Sequence, residues 1–244
     1  MTELFNQLLY APLFNLLVFF YNIIPGNDIG IAIILLTIAI KLILLPLSIK
    51  STKSQKALQD LQPKMEEIKK QYKDKKEEQA KALMELYKSE KVNPLSSCFP
   101  LIIQLPFLIA VFQILRTGFK EESLEMVYPF ISRPEVLNSM SFGVNLADPN
   151  VVLAFLAGAA QYWQTKMLMH KKQPVKASGA KSENMTAIMN KQMMYMMPVL
   201  TIFIGVSLPG GLTLYWLATT LLMVAQQKLM FKKTGETKTS EAKS

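Results

Sequence analysis

Apolar residues in this chain are gathered into blocks separated by charge, and that layout restricts the fold more than any other feature. The blocks cover residues 29–49, 97–116, 149–169, 192–208 and 212–230. An α-helix rises about 1.5 Å per residue, so roughly 20 residues cross the hydrocarbon of a bilayer. Each block is therefore predicted to be a transmembrane helix, and the chain an all-α integral membrane protein with five spans. None of the five contains Asp or Glu.

The segments between the blocks have their own patterns. Residues 4–24, within an N-terminal segment 1–28, are mostly apolar but carry Asn6, Gln7, Asn15, Asn22 and Pro12. They either span or lie in the interface as an amphipathic helix, and the polar residues and the proline favour the interface. No Lys or Arg precedes Lys41, which excludes a secretory signal. Residues 50–94 are charged. Leu58, Leu61, Met65, Ile68 and Tyr72 form one heptad-like stripe, and Ala80, Leu83 and Tyr87 a second. With KDKKE (73–77) as the turn, they predict a helical hairpin packed stripe to stripe, stopped by Asn93-Pro94. Residues 117–148 read as a partly structured loop, 170–191 as a polar linker, and 231–244 as a disordered tail. Pro209, Gly210 and Gly211 force the last two spans into a tight antiparallel hairpin. No internal repeat is visible, unlike the duplicated halves of many transporters.

The net charge of +9 raises the question of nucleic acid. Its distribution gives another answer. Segments 50–92, 166–191 and 228–243 hold 12, 6 and 5 Lys, while the opposite side holds only Arg116, Lys120 and Arg133. Such a bias places the hairpin, the linker and the tail in the cytoplasm and the N-terminus outside. The charge then serves topology and attraction to anionic lipid, and DNA is not an expected partner.

Lys41 is the most informative residue, a cation twelve residues into the first span. At a helix centre it costs roughly 2.5–3.5 kcal/mol on insertion scales. Snorkelling is one reading. However, side chains lean toward the helix N-terminus, and that takes Lys41 away from the nearer surface. An ion pair within the bundle lacks a carboxylate partner. A water-filled cavity is the favoured reading. Candidates to line it share helix faces: Thr37 and Ser48 with Lys41; Ser97 with Gln104; Gly158, Gln161, Gln164 and Thr165; and Thr213, Trp216 and Thr220. Taken singly, each is as well explained by ordinary helix–helix hydrogen bonds. Met185, Met189, Met193 and Met197 form an i, i+4 stripe that suits core packing first and an adaptable contact for substrates second.

Signals of catalysis are missing. His170 stands alone, Cys98 is the single cysteine, and no HExxH or GxSxG occurs. Gly179-Ala180-Lys181-Ser182 only faintly resembles the end of a phosphate-binding loop. Neither enzymatic activity, a metal nor a cofactor is expected.

Several stretches resemble the YidC/Oxa/Alb family of membrane protein insertases: GIAIILLTIAIKLILLPLSIKS (30–51), LQPKMEEIKKQY (61–72), LYKSEKVNPLSSCFPLIIQLPFLIAVFQIL (86–115), SFGVNLADPN (141–150) and SLPGGLTLYW (207–216). They occur in family order over nearly the whole chain, and NPLSSCFPLIIQLPF alone is highly specific. The resemblance implies five spans, an outer interfacial helix over the N-terminal segment, and a cytoplasmic hairpin. It also implies a positively charged groove open to cytoplasm and lipid but closed outside, in the bacterial plasma membrane. Lys41 aligns with a groove position that is usually Arg. Lys keeps the charge and loses the planar fork. Thr37 and Trp216 match positions important in relatives, the latter often Tyr. The large periplasmic domain, the extra first helix and the lipoprotein Cys of some relatives are missing from this sequence, and the short tail makes strong ribosome docking unexpected. Nascent membrane proteins and lipids are the implied partners, with the Sec translocon, the ribosome and signal recognition particle components as further candidates. Two rival functions remain, a small-solute transporter or channel and an assembly scaffold. The first wants intramembrane carboxylates or duplicated halves; the second gains nothing from an unpaired charge.

Overall fold

The computed structural model describes residues 3–72, 75–93, 99–118, 121–168 and 194–241. Eight helices carry these residues: α1 (Glu3–Ile23), α2 (Ile29–Ile43), α3 (Leu45–Gln71), α4 (Lys76–Ser89), α5 (Phe99–Thr117), α6 (Val151–Leu168), α7 (Met194–Gly205) and α8 (Gly210–Glu241). Between α5 and α6 lie a short 3-10 helix, Glu121–Met126, and a two-stranded antiparallel ribbon. In the ribbon Ser141 of β1 (Met140–Ser141) faces Val144 of β2 (Val144–Asn145).

The core follows from helical periodicity. Ile29, Ile33, Leu36 and Ile40 recur every three or four residues along α2, and all are buried. They meet Phe14, Leu17 and Val18 of α1, Val111 and Ile114 of α5, and Leu212 and Tyr215 of α8 in one cluster. α8 packs along both α6 and α2. Two helix starts are capped by side chains: Asp28 accepts from the Ile31 amide at 3.0 Å, and Asn150 from the Leu153 amide at 2.9 Å.

The first apolar block is not one straight helix. α2 ends at Ile43, and α3 leaves at 71° across Leu44. Pro46 is the cause. It has no N–H to give, and its ring would press on the carbonyl four residues back, but it is tolerated in the first turn of a new helix. The block expected over 29–49 is thus divided, and α3 begins at Leu45 instead of 50. Consequently Lys41 lies in the last turn of α2, where the helix dipole favours a cation, and not at a helix centre.

Two further expectations change. The tail expected to be disordered from 231 is helical to Glu241, because its lysines and glutamates are good helix formers and it contains no proline. In the hairpin, Leu61 is buried and the Tyr87 hydroxyl donates to the Met65 sulfur at 3.6 Å, so the two stripes do meet. Ala80, however, is exposed, and the inward face of α4 runs through Gln79, Ala82, Leu83, Leu86 and Tyr87. An ion pair of Lys64 with Glu90 at 2.5 Å and a bond from Gln79 to the Lys69 carbonyl at 3.2 Å close the hairpin at its two ends.

Of the polar residues of α1, Asn6 and Gln7 are exposed, but Asn15 and Asn22 are taken up by the protein. Asn15 is buried, donates to the Ala11 and Met126 carbonyls at 2.9 and 3.0 Å, and accepts from the Tyr128 amide at 2.6 Å. Asn22 donates to the Ser132 carbonyl at 2.6 Å. These side chains hold the loop that follows α5. The exposed surface of α1 carries Leu4, Leu8, Phe19 and Ile23 as well as Asn6 and Gln7.

Length and apolarity alone qualify α1 to cross a membrane, and α2 with α3 as a bent pair; Ile102–Thr117 and Met194–Gly205 are apolar but shorter.

Candidate functional site

Lys41 half-emerges where α2 ends, and three elements meet it there. α3 turns away at Leu44 and brings Leu47, Ser48 and Ser51 alongside; α5 contributes Ile103 and Gln104; α8 contributes Met223. Together these eight residues line a small cleft, open to solvent, with an interior volume of about 20 Å³. The Lys41 ammonium donates to Gln104 Oε1 at 3.2 Å. Gln104 Nε2 in turn donates to the hydroxyl of Tyr215, which is only 1% exposed. Across the cleft Ser48 donates to Gln226 Oε1 at 2.9 Å. Lys41 forms no ion pair among the described residues.

This arrangement suits a charge that must stay charged and accessible. A neutral amide satisfies one of three ammonium protons. The others face the open cleft, where water can solvate them. A carboxylate partner would have neutralised the site; a glutamine leaves its positive potential available to a visiting anion or dipole. The cleft's walls are otherwise apolar or hydroxylic, so screening of the charge is left to water entering from the open side.

Three of the residues anticipated from helix faces come together here: Lys41, Ser48 and Gln104. Ser48 arrives by an unforeseen route, since the bend at Leu44 breaks the i+7 relation that had placed it beside Lys41. Thr37, Thr165 and Thr220 turn back on their own helices and donate to Ile33, Gln161 and Trp216 carbonyls. Thr213 bonds the Gly205 and Pro209 carbonyls and so closes the α7–α8 turn. Gln164 stands behind the cleft, donating to the Met223 sulfur at 3.6 Å. Gln161 and Trp216 are half-buried and do not line the cleft. Gly158 is a packing point, with Ile202 of α7 seated against it. Met197 is exposed on α7, with Met196, Val199, Leu200 and Phe203 also exposed there. Ser97, Met185, Met189 and Met193 lie outside the described residues, as do Cys98, His170 and the 170–191 linker.

Sequence reasoning missed Tyr215 and Gln226. Both had a signal. Gln226 and Gln227 are adjacent amides inside an apolar block, and Tyr215 is a hydroxyl one residue from the tryptophan that drew attention.

A helical bundle with exposed apolar faces and a small cleft beside a lysine near one end fits a class, the α-helical membrane proteins. Comparison with known proteins specifies it further. The family model described as 60Kd inner membrane protein matches residues 19–238, nearly the whole chain, and the chain belongs to that family. The membrane protein insertase YidC of Fusobacterium nucleatum is 37% identical over 207 residues, covering 85% of this chain and 88% of that protein. The YidC insertase of Magnetococcus marinus is 35% identical over 226 residues, 92% of this chain but 36% of that longer protein. A solved structure of an active YidC insertase with its first transmembrane domain resolved is 30% identical, with a TM-score of 0.56; the match covers 92% of this chain and 46% of that one. Several of the relatives are therefore much longer than the matched region. Family membership puts the chain in the bacterial inner membrane.

Proposed function

We propose that this chain is a membrane protein insertase and chaperone, and that the Lys41 cleft receives the hydrophilic segment of an incoming nascent protein. The observation that carries the reading is a lysine without a carboxylate partner, held by Gln104 at the mouth of an open cleft. Supporting it are the family and the insertases it contains.

In this reading the hairpin α3–α4 and the α8 end lie in the cytoplasm, the N-terminus lies outside, and five spans cross the membrane, as the lysine distribution suggests. α1 then lies at the outer interface. The bend has a mechanical consequence. α2 has 15 residues and is thus about 22 Å long, short of the roughly 30 Å hydrocarbon thickness. A cleft at its end sits below the membrane surface, and a hydrophilic segment entering it has less hydrocarbon left to cross. Lys41 favours acidic segments. The hydrophobic segment of the substrate moves along the exposed apolar faces of α5 and α7 into lipid, and its transfer supplies the free energy, roughly 25 cal/mol per Å² of apolar surface. The basic hairpin is the surface for delivery partners, whether translocon, ribosome or targeting factor.

The test is reconstitution of the full chain alone in liposomes, with matched single-span substrates whose outer segments are acidic or neutral. Insertion without solute flux is expected. Lys41→Arg should retain it, Lys41→Ala should impair it most for acidic segments, and Lys41→Glu should be worse than Ala. Equal insertion of both substrates by the Lys, Gln and Glu forms would remove the electrostatic role. Solute flux without insertion would favour a channel.

A further inference from the structure

The ribbon between α5 and α6 turns on Phe142 and Gly143, both at positive φ, 49° and 76°. A two-residue hairpin turn with both central residues in that region favours Asn-Gly or Asp-Gly. Glycine at 143 is the expected choice, whereas phenylalanine at 142 is strained, since its Cβ crowds the backbone there. No packing compensates for this strain, because the side chain is 72% exposed. Its neighbours behave oppositely. Ser141 is buried and donates to Asp28 Oδ1 at 2.5 Å, while Leu137 and Leu146 enter the core. Val136 and Met140 are exposed beside Phe142, and residues 136–147 contain no charged side chain.

The height of this turn is fixed. Asp28 is the N-cap of α2, and Ser141 is bonded to it, so Phe142, the next residue, stands level with the α2 N-terminus. That is the rim where the bundle leaves the hydrocarbon. The start of α6 exposes further apolar side chains, Val151, Val152 and Phe155. Aromatic side chains settle at this depth because a ring gains from the apolar boundary there.

We infer that the Val136–Asn145 segment, with Phe142 at its tip, is a docking surface for the outer leaflet, seating the loop in the boundary between headgroups and acyl chains. It is a fixed anchor on the face opposite the Lys41 cleft. The inference rests on the membrane placement of α2 but not on the insertase reading.

The experiment uses the full chain in lipid nanodiscs with Cys98→Ser and a nitroxide at Phe142→Cys, Met140→Cys or, as a water-exposed control, Glu125→Cys. At 140 and 142, collisions with oxygen should exceed those with a water-soluble nickel chelate several-fold, and at 125 the order should invert. Phe142→Asn, which suits the turn, should leave the melting temperature in detergent unchanged or raised, yet speed amide exchange across 136–147 in nanodiscs. Preferential access of the nickel chelate at 142 would place the turn in water and overturn the inference. Protection from both reagents would mean a protein cover, a second copy or another partner, and would overturn it equally. Unchanged exchange in Phe142→Asn would show that the ring anchors nothing.

Discussion

Gln104 joins a cation to a buried hydroxyl, and removing it tests whether those three groups act as a unit. In Gln104→Leu the Tyr215 hydroxyl, 1% exposed, loses the amide that donates to it. An unsatisfied buried polar group costs about 1–3 kcal/mol. Lys41 also loses its partner, but it faces the open cleft, where water replaces the amide at little cost. The whole penalty is therefore about 1–3 kcal/mol, and at about 2–4 °C per kcal/mol for a chain of this size the melting temperature should fall by about 2–12 °C. Tyr215→Phe should be milder, below about 1 kcal/mol, because half-buried Gln104 can turn its free amide to the cleft. The double variant Gln104→Leu/Tyr215→Phe removes both ends of the bond and should recover most of the loss. The assay is thermal unfolding of the four forms in one detergent, read as a double-mutant cycle. Additive losses, with the double variant below either single one, would refute the coupling and with it the idea that Tyr215 positions Gln104 under Lys41.

Other consequences follow from single contacts. Asn15→Leu should release the loop after α5, since it strands the Tyr128 amide and the Met126 carbonyl; faster amide exchange over 121–132 by about fivefold or more, matching about 1–3 kcal/mol, is the readout. Gly30→Ala should lower stability, because its Cβ would lie 2.9 Å from the Ser141 Cβ, and Ser141→Gly should rescue part of the melting temperature in that background. Pro46→Ala should allow α2 and α3 to straighten, seen as a longer spin-label distance between residues 31 and 60, while an unchanged distance would remove Pro46 as the cause of the bend. Cysteines at 75 and 125 should be labelled from opposite sides of the membrane; labelling of 75 from outside would invert the proposed topology.

The helices were legible because their signals are local. Apolar blocks, the Asn93-Pro94 stop and the Pro-Gly-Gly turn all act through their immediate neighbours, whereas the break that Pro46 imposes went unread. What stayed hidden was long-range. Nothing within α1 reveals that Asn15 addresses a carbonyl 111 residues away, and by composition alone its asparagines looked like a water-facing side. The threonines misled for a related reason. A hydroxyl can satisfy itself on the carbonyl four residues back, so Thr37, Thr165 and Thr220 gave no information about a shared cavity. Gln104 could be foreseen because a primary amide inside an apolar helix has no such internal solution and must find a partner elsewhere. The same logic would have singled out Gln226, had amides been weighted above hydroxyls.

The two ends of the bundle are held with unequal strength, and that inequality decides which end can yield. At the end where α2 begins, α1, the loop and the α7–α8 turn are joined by backbone and buried side-chain bonds. Gly210 and Gly211 donate to the Asp148 and Leu146 carbonyls at 2.8 Å each, Ser141 binds Asp28, and Asn15 spans helix and loop. Opening there would strand several buried groups together, at about 1–3 kcal/mol for each one left dry. At the Lys41 end two of the bonds lining the cleft are only part-buried: Lys41 to Gln104, and Ser48 to Gln226. Breaking these two leaves polar groups that water entering from the open side of the cleft can satisfy, at less cost. α3 is moreover attached across a bend at a single residue, Leu44, so it can swing without disturbing α2. In the insertase reading, motion that admits a polypeptide is therefore expected on the α3 side, and the more heavily bonded opposite end is expected to stay closed.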